Sequence, residues 1–128
     1  MEARHWIANL LHTYVAIADR KDVDAVVDLL GTARVQFPAG GSGNPGEARQ
    51  FFERLWNAPE RHRHDVSNLI VSQAGTEGMW LATAHYTRWV LAPDGPVLHT
   101  LGQYELLVDG ADWSVQHLLV SRDWMAEA

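Results

Sequence analysis

Cysteine is absent from the 128 residues, which removes disulfides, thiolate nucleophiles and Cys-ligated metals from consideration. Basic residues are scarce: ten Lys and Arg stand against sixteen Asp and Glu, a formal charge of −6 at pH 7. That balance is wrong for a nucleic-acid partner, because phosphates demand clustered cations. The one basic cluster, Arg61-His62-Arg63-His64, is short and runs at once into Asp65. No apolar run approaches the about 20 residues that span a bilayer. The opening Met1-Glu-Ala-Arg-His-Trp6 lacks the basic-then-apolar order of an export signal. A cytoplasmic protein with neither membrane nor nucleic-acid partner is the expectation.

What the chain does have is apolar and aromatic mass. Hydrophobic residues make up 47%, with six Trp, three Tyr and three Phe. One domain over residues 1–128 can bury a core of its own, and the aromatic surplus points to a lined cavity or a subunit interface. No repeat, low-complexity segment or domain boundary interrupts it.

Helical periodicity is clear from Trp6 to Arg20, where Trp6, Ile7, Leu10, Leu11, Tyr14, Ile17 and Ala18 share one arc and Asp19 lies just past its edge. Asp22 and Gly31 bracket a short second helix, Val23–Leu30. Arg34–Phe37 alternates like a strand. The Gly-rich stretch Pro38–Asn44 reads as a loop, a mobile lid or entrance, because it lacks the Lys of a phosphate-binding motif. A third helix starts near Pro45, with Phe51, Phe52, Leu55 and Trp56 inward, and ends before Pro59. The second half holds four strand-like runs, His64–Ser72, Met79–Leu91, Val97–Val108 and Trp113–Arg122, separated by Gly-, Pro- and Asp-rich turns. Helices followed by an antiparallel meander predict an α+β domain with helices on one face of a curved sheet that bends near Gly102.

Pairing the hairpins about their turns assigns His64, Val66 and Asn68 to a face with Thr83, His85, Thr87, Trp89, His99, Leu101 and Gln103. Asn68 then sits opposite His85 and near Gln103. The other face collects Trp80, Ala82, Ala84, Tyr86, Tyr104, Leu106, Trp113, Val115 and Leu119. Both faces are substantially apolar, so helices covering one leave the other to a second subunit, a homodimer through the sheet.

Taken together, Leu10-Leu-His-Thr-Tyr14-Val-Ala-Ile-Ala-Asp19-Arg-Lys-Asp-Val-Asp24, Arg63-His64-Asp-Val-Ser-Asn68, Gly102-Gln-Tyr104 and Asp112-Trp-Ser-Val115 resemble the SnoaL-like branch of the nuclear-transport-factor-two-like superfamily. The resemblance covers almost the whole chain. It implies a cystatin-like cone, in which three N-terminal helices close a strongly curved antiparallel sheet around a pocket. Members include scytalone dehydratase, bile acid dehydratase, ketosteroid isomerase and polyketide cyclases, but also non-catalytic binders and dioxygenase small subunits, so fold alone does not set function.

Dehydratase-type members carry Tyr and Asp five residues apart on the first helix, as Tyr14 and Asp19 are, and a His opening the strand after the third helix, as His64 does. His85 is similar to a second His on the following strand. The resemblance therefore implies a catalytic set of Tyr14, Asp19, His64 and His85. Asn68 and Gln103 would be polar partners in the site, with Phe51, Trp56 and Trp89 as aromatic wall. Such a site would need no cofactor: the imidazole takes a proton beside a carbonyl, the carboxylate holds the imidazole, and the phenol steadies the developing enolate. The substrate implied is a small cyclic ketone or phenolic compound, and the reaction a dehydration, double-bond shift or cyclisation. The alternative is a pocket that only binds an apolar or aromatic ligand, with Tyr14 and Asp19 satisfying each other or solvent. Metal binding through His62 and His64 lacks a third ligand at a usual spacing.

Overall fold

The computed structural model describes residues 2–127. Its elements run α1 (Glu2–Arg20), α2 (Val23–Leu30), β1 (Arg34–Phe37), β2 (Gly40–Ser42), α3 (Pro45–Leu55), β3 (Arg61–Gln73), β4 (Met79–Ala92), β5 (Gly95–Asp109) and β6 (Ser114–Met125). One six-stranded sheet has the order β2-β1-β6-β5-β4-β3. The sheet is mixed, not wholly antiparallel as expected, because β1 runs parallel to β6. The Gly-rich stretch is also more ordered than a free lid. Gly40–Ser42 pairs with Val35–Phe37 as a hairpin, and Gly40, at φ 145°, takes a backbone shape open chiefly to glycine.

The helices begin and end where local chemistry dictates. Asp22 Oδ1 accepts from Ala25 N at the start of α2. Asn44 caps α3 by accepting from Glu47 N, Glu47 Oε1 accepts in return from Gly43 N, and Pro45 sits at the first turn. At the end of α1, Lys21 enters the left-handed region at φ 56°, with Asp22 N donating to Ile17 O. This is a Schellman-type stop made without glycine.

Ile7, Leu11, Tyr14, Val15, Ile17 and Ala18 of α1 are buried, together with Ala82, Ala84, Tyr86, Tyr104, Leu106, Val108, Val115, Leu118 and Val120 of the sheet. Trp6, expected on the buried arc, is 42% exposed and stacks on Trp113 at 6.2 Å between ring centroids.

Four bulges govern which side chains reach this inner face. Between Ser67 and Ile70 the β3–β4 register slips by one residue, with Asn68 in the left-handed region at φ 56°. His64 consequently pairs with Arg88, and Val66 with Tyr86. A simple hairpin count would instead set His64 beside Trp89. The slip moves His64 and Val66 from the face assigned to them onto the inner face with Tyr86 and Tyr104. A second slip, between Arg88 and Trp89 on β4, leaves His99 as the extra residue of β5. Two more lie on the β5–β6 pair, after Leu101 and after Leu107; the latter leaves Gln116 extra and turns Leu118 and Val120 inward and Leu119 out.

Candidate active site

Three ties clamp the end of α1 to the start of β3. Lys21 Nζ donates to the carbonyls of Ala58 and Glu60, the latter at 2.7 Å. His62 Nε2 lies 2.5 Å from Ala18 O, and Asp19 Oδ1 accepts from His64 backbone N at 2.8 Å. The same carboxylate oxygen lies 2.8 Å from His64 Nδ1. A carboxylate only accepts, so Nδ1 carries a proton, and in the neutral ring the lone pair is on Nε2. The pair is well sheltered, with side-chain exposures of 9% for His64 and 30% for Asp19. Arg20 does not compete for Asp19; it faces Asp22 at 3.9 Å.

His64 borders a cavity of about 200 Å³, partly open to solvent, between α1, α3, the β1–β2 hairpin and the sheet. Tyr14, Trp56, His62, Tyr86 and Tyr104 line it further, and Pro38, Ala39, Arg122 and Met125 are exposed at its mouth. The three tyrosines form one stack: Tyr86 lies parallel to Tyr104 at 4.5 Å, and Tyr14 meets Tyr104 edge-on at 5.8 Å. Burial is the main cause that pushes each phenol above its ordinary pKa, helped at Tyr14 by Tyr86. They stay protonated donors at neutral pH. Among the described residues no hydrogen bond occupies these hydroxyls, and none is sealed away unsatisfied. They are free to meet a ligand.

His62 is a structural neighbour, its ring 4.8 Å from that of His64. Its Nε2–H is spent on Ala18 O, and its Nδ1 accepts from Arg88 Nε at 3.1 Å. Both nitrogens are engaged, so this histidine has no lone pair left for a metal. Burial lowers its pKa to about 4, reinforced by His64, Arg88 and Lys21.

Of the residues expected in the site, the fold brings together Tyr14, Asp19, His64 and Trp56. It does not bring in His85, Asn68, Trp89 or Gln103. His85 is exposed on the outer face, paired to Gln103. Gln103 is also exposed and reaches Asp123. Trp89 donates outward to Asp65 at 3.2 Å, and Asn68 is the exposed bulge residue itself. All four lie on the sheet side away from the helices, and the register slip at Asn68 is what parts His64 from them. Phe51 is buried against Phe37 and Phe52 at 5.2 and 5.1 Å, one layer behind the cavity wall. The count along the hairpins had already grouped Tyr86 with Tyr104, but on the face opposite His64. His62 and His99 were missed as cavity residues because bulges place them, whereas Arg88 reaches the cavity by the plain alternation of β4 with Ala84 and Tyr86.

The chain matches the family model of the SnoaL-like domain over residues 1–118, and it belongs to that family. No curated protein sequence matches it. Among solved structures it is similar to ActVI-ORFA of Streptomyces coelicolor, at TM-score 0.82 and 15% identity over 96% of this chain and 98% of that one. A Novosphingobium aromaticivorans protein, provisionally named a scytalone dehydratase, aligns at 0.79 and 14% over 98% and 87%. A Catenulispora acidiphila protein in complex with S-DNPA aligns at 0.80 and 12% over 94% and 92%. At these identities the likeness is one of fold.

Proposed function

We propose that the cavity is the active site of a cofactor-independent acid–base enzyme acting on a small ring-bearing ketone or phenolic compound. The reaction favoured is dehydration, with double-bond isomerisation or cyclisation drawing on the same groups. One observation carries the reading: Asp19 holds the Nδ1–H of His64 in a sheltered cavity and so presents Nε2 as a base beside free phenol donors. A pocket for binding alone has no use for a carboxylate behind its imidazole, and Tyr14 and Asp19 are not each other's partners. Relatives of the same fold named for scytalone dehydratase, or holding a small molecule, lend support.

On a β-hydroxy ketone, His64 Nε2 takes the proton on the carbon beside the carbonyl. The electron pair of that C–H bond passes into an enolate, whose oxygen accepts a hydrogen bond from Tyr14. As the enolate collapses, the β C–O bond breaks, and the leaving hydroxide recovers the proton from His64 as water. Buried donors aimed at an enolate oxygen act strongly because they need not reorganise. The reading also carries a homodimer through the outer sheet face and a cytoplasmic location.

The test uses 2-tetralone in D₂O, following α-proton exchange by NMR. Wild-type protein is expected to accelerate exchange, His64→Ala to lose about 10²–10⁴-fold, and Asp19→Asn to lose much of the same. A wild-type rate no faster than buffer, or one that His64→Ala leaves intact, overturns the proposal.

A further inference from the structure

Arg88 stands inside the cavity without a counter-ion among the described residues. Its Nε donates to His62 Nδ1 at 3.1 Å and its Nη1 to His99 Nδ1 at 2.9 Å, so both protein partners act as neutral imidazole acceptors. His62 is held neutral by burial, and His99 is lowered the same way, with Arg88 and Arg122 adding to it. Glu60 is near enough to favour the Arg88 charge, yet among the described residues no carboxylate reaches ion-pair distance. A guanidinium has five N–H donors. Two are spent here, which leaves one on Nη1 and two on Nη2.

The rest of the lining agrees in sign. Arg122 stands at the mouth, where its Nη1 reaches Met125 Sδ at 3.1 Å. None of the sixteen acidic residues lines the cavity. Among the described residues the only formally charged side chains lining the pocket are thus two arginines, in a molecule of net charge −6, with Asp19 held behind His64. A half-buried cation held by neutral acceptors is costly unless something else meets it, and two oxygens of one anion match the remaining donors.

We propose that Arg88, seconded by Arg122, seats a carboxylate of the substrate, so that the small cyclic compound taken by this cavity is an acid. The inference deepens the acid–base reading by naming the substrate class, and it places the carboxylate beside His62, one ring away from the His64 base. Arg88 anchors the ligand; His64 and Tyr14 act on its carbonyl.

The probes are 1-naphthoate and its neutral isostere 1-naphthamide, with binding measured by calorimetry on the full chain. Wild-type protein is expected to bind naphthoate at least tenfold more tightly. Arg88→Gln, whose amide can still bond His62, should abolish that preference, and Arg122→Gln should lower it by less. Arg88→Lys keeps the charge but loses the fork, and is expected to retain a reduced preference. Equal binding of the two probes by wild type overturns the proposal without recourse to any variant, as does a preference that survives Arg88→Gln. His64→Ala separates the two readings, for it should keep the naphthoate preference while losing tetralone exchange. A preference for naphthoate in a protein that exchanges no α-proton would leave the anion seat standing and remove the acid–base chemistry.

Discussion

His62 shows how a residue outside the proton-transfer pair can still govern it. Its ring joins the last turn of α1, through Ala18 O, to Arg88, so it sets the floor on which His64 and the proposed anion seat are built. Charging it would take away the lone pair that Arg88 donates to. The sign of the pH effect follows. The folded pKa of about 4 lies below the ordinary 6.5, so over that interval the unfolded chain binds the extra proton and the fold does not. The stabilisation is complete above pH 6.5 and is lost as pH falls towards 4. Acid melting of carboxylates overlaps this range, and the comparison needs a variant that does not titrate. His62→Gln retains a donor for Ala18 and an acceptor for Arg88. The melting temperature of wild type should fall more between pH 6.5 and 4 than that of His62→Gln, by calorimetry; parallel curves would count against it.

At the scale of the element, the bulges and one glycine matter more than strand propensity. A Cβ on Gly102 would lie 2.2 Å from Ser121 O and 2.4 Å from the Tyr86 ring, so Tyr86 stacks on Tyr104 only because position 102 has no side chain. Gly102→Ala is expected to cost about 1–3 kcal/mol in urea unfolding, as overpacking usually does, and to displace Tyr86 from the cavity wall. A variant as stable as wild type would show that the ring has room to move. The bulge at Asn68 has the larger consequence. Composition and hairpin turns forecast the strands themselves, with β3 starting earlier at Arg61 and β6 running on to Met125. They are silent on a single inserted residue, which flips every side chain beyond it. That is why His85 was expected in the cavity and Arg88 takes the place facing His64.

For the whole molecule, the helices cover one side of the sheet, and Ile70 (65% exposed), Leu101 (40%) and Trp124 (46%) remain on the other. Register sets Leu101 beside Trp124 and Ile70 beside Thr83, with His85 and Gln103 between them. These exposed apolar side chains, spaced by polar His85 and Gln103, mark the proposed dimer face. Sedimentation of the wild type should give twice the 14.3 kDa chain mass, and Leu101→Glu combined with Ile70→Glu should give a monomer that still folds. A wild type that sediments as one chain at micromolar concentration ends the proposal.

Local pattern alone determined a good deal: the three helices, the caps of the second at Asp22 and Gly31, the four long strands, and the five-residue spacing that sets Tyr14 and Asp19 on one helix. It did so because periodicity, capping and turn chemistry act between near neighbours in the chain. Whether Asp19 met solvent, Tyr14 or an imidazole was decided only in three dimensions, by the left-handed stop at Lys21 and the ties from Lys21 and His62 that pull β3 onto the end of α1. The register that sends His64 and Arg88 inward and His85 outward was decided there too. A bulge has no periodic signature; it forms because the packing of the whole sheet against the helices outweighs the preference of one residue for an extended backbone.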